Sequence, residues 1–185
     1  MEMFGWVALG VLALIAVIVV AIYNNLVGLR QNVRQGTADI DAQLRQRHDL
    51  IPNLVETVKG YAGHESDTLE AVIQARNVAV KGNPDSGSEQ GLRVALDNLL
   101  ALGEAYPDLK ASANFQELQR ELADIEDKLA AARRALNAAV SRFNTARESF
   151  PAVLFAGALG FQEADFNKLD DSERGTVDQV PGVAF

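Results

Sequence analysis

The sequence predicts an all-α protein: one N-terminal transmembrane helix continuing into an antiparallel up-and-down bundle of about four helices. Three observations carry this. Met3 to Ile22 is an unbroken apolar run of 20 residues. Most of the chain beyond Ile22 repeats apolar residues at spacings of three and four, the signature of one buried helix face. Turn-forming residues and prolines then cut that pattern into segments. The expected division is an anchor over residues 1–22, a bundle over 23–166 and an acidic, disordered tail over 167–185.

As a helix, the first run reaches about 30 Å, the thickness of a bilayer's hydrocarbon core. Twelve of the residues from Phe4 to Ile22 are Leu, Ile, Val or Phe. On an insertion scale they favour the membrane by about 4 to 7 kcal/mol, an upper limit because the end positions count less. A cleaved secretory signal is the competing reading, with Val19-Val20-Ala21 as its cleavage site. No basic residue precedes the run, however, and the run exceeds the apolar core of a signal, so an anchor is expected. Arg30, Arg34, Arg45 and Arg47 all lie after the span and none precedes it. Basic flanks stay in the cytoplasm, so the N-terminus is expected outside and the bundle inside a bacterial inner membrane.

The first bundle helix is read from Leu26, Leu29, Val33, Ile40, Leu44, Ile51, Leu54, Val55 and Val58. Pro52 interrupts it by removing the N–H that would bond the His48 carbonyl, so the helix either bends there or restarts. One apolar stripe runs across the proline, which favours a continuous, bent helix. A second helix is predicted from a capping box at Asp67 and Glu70, with Leu69, Val72, Ile73, Ala79 and Val80 as its stripe. Gly82 to Gly87 reads as a turn. Ser86 and Glu89 offer the next capping box, ahead of Leu92, Ala95, Leu96, Leu99, Leu102 and Tyr106. Pro107 ends that helix, and Asp108 to Ser112 is expected as a connection.

Asn114 and Glu117 are expected to cap the last helix, whose seam is the most regular in the chain. Phe115, Leu118, Leu122, Ile125, Leu129, Ala132, Leu136, Ala139, Phe143, Ala146 and Phe150 alternate spacings of three and four without a slip. Such a heptad pattern specifies coiled-coil-like packing, with Ala132, Ala139 and Ala146 permitting close approach of a partner helix. After Phe150-Pro151, residues 152–161 are almost wholly apolar but too short to span a bilayer. They are expected to fold back over the bundle end, with an oligomer interface or the membrane surface as the other placements.

Composition excludes several chemistries. There is no cysteine, which removes disulfides, thiolate metal sites, cysteine nucleophiles and lipid attachment through cysteine. A net charge of −8 disfavours nucleic acid, which is bound through clustered Lys and Arg. The two histidines, His48 and His64, are 16 residues apart, not at the i+3 or i+4 spacing that puts two ligands on one helix face. His48 follows Leu44 by four residues and reads as a packed histidine with one hydrogen bond. His64 reads as part of a helix junction, and Arg133-Arg134 as a solvated helix face. Neither a phosphate loop nor a nucleophile elbow is present. No catalytic, cofactor-binding or metal-binding residue is therefore expected.

Several stretches together resemble the LemA family of bacterial membrane proteins. They include Tyr23-Asn24-Asn25-Leu26-Val27, Ile40-Asp41-Ala42-Gln43-Leu44, Asp49 to Val55, Val58 to Ala62 and His64-Glu65. Further on, Tyr106 to Ala111, Asn114-Phe115, Leu118-Gln119, Glu121-Leu122, Ala132 to Arg134, Phe143-Asn144 and Phe150-Pro151 continue the likeness. In order, they cover residues ~5 to 166. The resemblance implies a single membrane helix followed by a helical bundle, and no enzyme activity. In that family, one branch takes part in building magnetosome membranes, and other members are found alongside membrane proteases. The chain departs from the family pattern at Thr37, where a tryptophan is usual, and at Leu136 and Phe143, where tyrosines are usual.

The expected function is that of a non-enzymatic, self-associating scaffold for membrane organisation, held in the lipid bilayer through residues 3–22. The alternative is a membrane-tethered adaptor that presents a partner membrane protein, for example a protease, with its bundle or with the tail ending Val183-Ala184-Phe185.

Overall fold

The computed structural model describes residues 2–82 and 87–166. Among them the chain forms five α-helices and one 3-10 turn. In order these are α1 (Glu2–Tyr61), α2 (Ser66–Lys81), α3 (Ser88–Ala105), α4 (Pro107–Ala111), α5 (Ala113–Glu148) and the 3-10 turn Ala152–Leu154. The described residues contain no strand. The 60-residue α1 carries both the apolar run and the first bundle stripe. It is about 90 Å long at 1.5 Å per residue.

Three cores are stacked along this rod. The far one is a four-helix bundle in which Ile51, Leu54 and Val58 of α1 meet Leu69 and Val72 of α2, Leu92 and Leu99 of α3, and Phe115 and Leu122 of α5, with Leu109 of α4 sealing it. In the middle, α1 and α5 pack as an antiparallel pair through Ile40, Leu44, Ile125, Leu129, Leu136 and Val140. Nearest the apolar run, Leu26 and Phe143 are closed over by Ala156 and Phe161 from the chain beyond α5. The predicted heptad seam is therefore filled by α1 of the same chain. Phe150, its last member, is exposed.

Two glycines set how closely these helices approach. A Cβ at Gly36 would lie 3.2 Å from Leu136 Cα, so α1 and α5 touch there almost backbone to backbone. A Cβ at Gly103 would lie 2.8 Å from the edge of the Phe115 ring. The aromatic ring can pack this closely on α3 only because position 103 has no side chain.

The helix starts differ from the predicted capping boxes. Helix α2 begins at Ser66 with Glu65 as its N-cap residue. Asp67 thus falls inside the first turn, where its charge faces the free N–H groups without capping them. Helix α5 begins at Ala113 after Ser112, so Asn114 is likewise internal. The reason is local: α4 and α5 are separated by the single extended residue Ser112. Pro107 opens the short helix α4 where a connection was expected, occupying the N-terminal position where its missing N–H costs nothing. Ser86 and residues 83–85 of the expected turn lie outside the described residues, as does the tail from 167. On α2 the predicted stripe is too wide, since Ile73 and Val80 are exposed.

Beyond α5 the chain folds back over the end of the bundle, the placement favoured from sequence. Asn144 holds it by its side-chain amide: Nδ2 donates to the Ala164 carbonyl at 2.8 Å, and the Ala164 N–H donates to Oδ1 at 3.0 Å.

Candidate functional site

The run Arg45 to Glu65 collects the residue types most suggestive of chemistry, and it lies on the C-terminal part of α1 and the α1–α2 connection. Helix α1 passes through Pro52 without a break, so the continuous reading holds. The proline nevertheless leaves the His48 carbonyl without its intrahelical donor. Arg76, reaching across from α2, supplies one: its Nε donates to the His48 carbonyl oxygen at 2.7 Å. A side chain of a neighbouring helix thereby replaces the missing backbone bond.

Beside this contact lies a buried ionic node. The Arg47 guanidinium donates through Nη2 to Oε2 of Glu89 on α3, and through Nη1 to Oε2 of Glu126 on α5 at 3.1 Å. Nε2 of His48 lies 3.0 Å from the other Glu89 oxygen, which makes it the protonated ring nitrogen, since a carboxylate accepts there. Arg47, His48 and Glu89 are all buried, while Glu126 opens toward solvent. Together with the Arg76 bond, these contacts tie α1 to α2, α3 and α5 at one level of the bundle.

Such a node adds little net stability over apolar packing, but removing one partner strands a buried charge at a cost of about 3–5 kcal/mol. The contacts join residues of four helices at one axial level, so a shift of any of them along its axis would break at least one. Among the described residues no group of three or more His, Cys, Asp or Glu side chains is arranged to hold a metal ion. The arrangement binds helix to helix.

His48 is the packed histidine with one hydrogen bond that its position implied. His64 sits exposed in the connection after α1, and Arg134 points to solvent. Two further residues differ from the expectation. Arg47, counted with the basic flank of the membrane span, is a core residue. Glu89, read as half of a capping box, points inward. Both were legible by register: Arg47 falls between Leu44 and Ile51 on the α1 stripe, and Glu89 precedes Leu92 by three residues. A charged residue at a core position of a helix implies a partner on the facing one.

A second polar link closes the far end of the bundle. The Tyr106 hydroxyl, at the end of α3, donates to Oε1 of Glu65 at 2.9 Å. That hydrogen bond, and then burial, holds the phenol above its ordinary value of 10.0. At the opposite end, Phe161 stacks edge-on against Tyr23, with ring centroids 5.6 Å apart. The Arg30 guanidinium lies 5.0 Å from the centre of the Phe161 ring, a cation–π contact. Upstream of this level, the apolar stretch of α1 is long enough to cross a membrane and is left uncovered by the other described residues.

With this geometry in view, comparisons with known proteins give several distant relatives and one family. The chain is 23% identical to the magnetosome protein MamQ of Magnetospirillum gryphiswaldense, over 86% of this chain and 70% of that one. It is 24% identical to the magnetosome protein MamQ 2 of Paramagnetospirillum magneticum, over 85% of this chain and 68% of that one. It is 26% identical to the protein LemA of Metamycoplasma hominis, over 84% of this chain and 73% of that one. The sequence model of the LemA family matches residues 36–185, which span the buried node, the α5 seam and the segment folded back on α1. The chain belongs to the LemA family.

Proposed function

We propose that this protein is a non-enzymatic, single-pass protein of a bacterial inner membrane, which holds a rigid cytoplasmic helical bundle against the bilayer and organises membrane by self-association. The observation that carries this reading is the continuity of α1, which joins an uncovered apolar span to a bundle core with no linker between them. A load or partner on the bundle is transmitted straight to the membrane helix. Two of its relatives bear the name of a magnetosome protein, which supports a role in membrane organisation. The arginines at 30 and 34, just beyond the span, support the orientation with the bundle inside.

Self-association in this reading uses a surface other than the α5 seam, because α1 already fills that seam. Ile73 and Val80 lie seven residues apart on one face of α2 and remain exposed. The test is the mass of the full-length chain in lipid nanodiscs, together with extraction of cell membranes at alkaline pH. The expected result is a chain retained in the membrane pellet and assembled into more than one copy per disc. A strictly monomeric chain contradicts the scaffold. A monomer that co-purifies with another membrane protein, and loses it when residues 167–185 are deleted, supports the adaptor in its place.

A further inference from the structure

We propose that the turn following α5, from Phe150 to Ala158, seats in the interfacial layer of the same bilayer that α1 spans, giving the protein a second membrane contact. The proposal rests on the reading of Met3 to Ile22 as a membrane span.

The register of α5 along α1 supplies the depth. Arg47 meets Glu126 and Gly36 abuts Leu136, so ten residues forward on α5 correspond to eleven residues back on α1. Carrying that register a further fourteen residues places Phe150 beside about residue 21, in the last turn of the apolar span. The chain then returns through Ala156 to Phe161, which packs on Leu26 and Tyr23. The turn between these points is therefore held at the level where the span ends.

Its exposed side chains suit that depth. Phe150 is 80% exposed, Leu154 65% and Val153 51%, although the rest of the segment is pinned down through Ala152, Ala156 and Phe161. Large apolar groups on a rigidly held turn are unfavourable in water and favourable at the boundary between headgroups and acyl chains. No charged residue occurs from Ser149 to Gln162, whereas Arg147, Glu148 and Glu163 flank the stretch. At the level the register gives, Ile18 and Val20 of α1 are likewise uncovered and are assigned to the same bilayer. The turn's backbone is also suited to partial burial, with Phe155, Ala156, Leu159 and Phe161 N–H groups all bonded within the segment.

The chain has no cysteine, so single cysteines can be introduced for labelling. Full-length Leu154→Cys, carrying an environment-sensitive fluorophore in nanodiscs, is compared with Ile15→Cys in the span and Lys110→Cys at the far end of the bundle. Nitroxide lipids, labelled high on the acyl chain, act as quenchers. The expected result is blue-shifted emission at 154 and quenching exceeding that at 110 by about twofold or more, as for an interfacial group. If 154 behaves like 110 while 15 is quenched, the turn lies in water and the proposal fails with the anchor intact. If 154 is blue-shifted but not quenched by lipid, protein covers the turn and the proposal also fails. If 15 is not quenched, the span itself is refuted, and the second contact with it.

Discussion

Pro52 is where a single residue most constrains the fold, because it deletes a backbone donor in the middle of a long helix and Arg76 compensates from another one. Arg76→Met should cost about 1–3 kcal/mol, since it leaves the partly buried His48 carbonyl unsatisfied. Pro52→Ala restores the N–H at that position, so the same Arg76→Met change made on the Pro52→Ala background should cost less, by about 1 kcal/mol. A double-mutant cycle by chemical denaturation in detergent measures this coupling, and strict additivity would show that the two residues do not share the carbonyl. Tyr106 provides the pH-dependent counterpart. Its phenol titrates above 10.0 when folded, so the stability that its bond to Glu65 contributes is complete below pH 10 and declines as pH rises through the raised value. Glu65→Ala removes the acceptor of the hydroxyl along with its charge and should bring that titration back toward 10, read as tyrosinate absorbance against the signals of Tyr23 and Tyr61. The residues of the buried node were legible in part. The sequence placed His48 on the core stripe, but it could not say which distant carboxylate would meet Arg47, because that depends on how three helices are set against one another.

At the scale of elements, periodicity read the helices and their buried faces well, because a stripe at helical spacing is imposed by burial along the whole length of a helix. It failed where only a residue or two decides the outcome. The predicted caps at Asp67 and Asn114 lie one helical step inside their helices, whose N-cap positions are held by Glu65 and Ser112. The α5 heptads announced a partner helix but carried no mark of whether it belonged to the same chain, and it proves to be α1. Packing at glycines gives a sharp contrast within α3. Gly91→Ala meets nothing within 4 Å and should stabilise the protein by up to about 1 kcal/mol, the helix-propensity difference. Gly103→Ala places a Cβ 2.8 Å from the Phe115 ring and should destabilise by about 1–3 kcal/mol through overpacking, despite the same propensity gain. Thermal unfolding of the two variants side by side reads the difference, and equal stabilisation of both would mean that Phe115 is free to move off α3.

Taken whole, the molecule is a rod whose one end is apolar on every side and whose other end is a closed four-helix core, joined by an α1/α5 pair. Because α1 has no break, the proposed membrane span would fix the position of the bundle, and the proposed orientation places the arginines after the span, with the bundle, inside. Reaction of single cysteines with a membrane-impermeant maleimide tests this most directly, in intact spheroplasts and in sealed inverted vesicles. The prediction is that a cysteine in place of Glu2 reacts only in spheroplasts and one in place of Lys110 only in inverted vesicles. The reverse pattern would contradict the orientation, and reaction of both positions from the same side would contradict a single membrane crossing by α1.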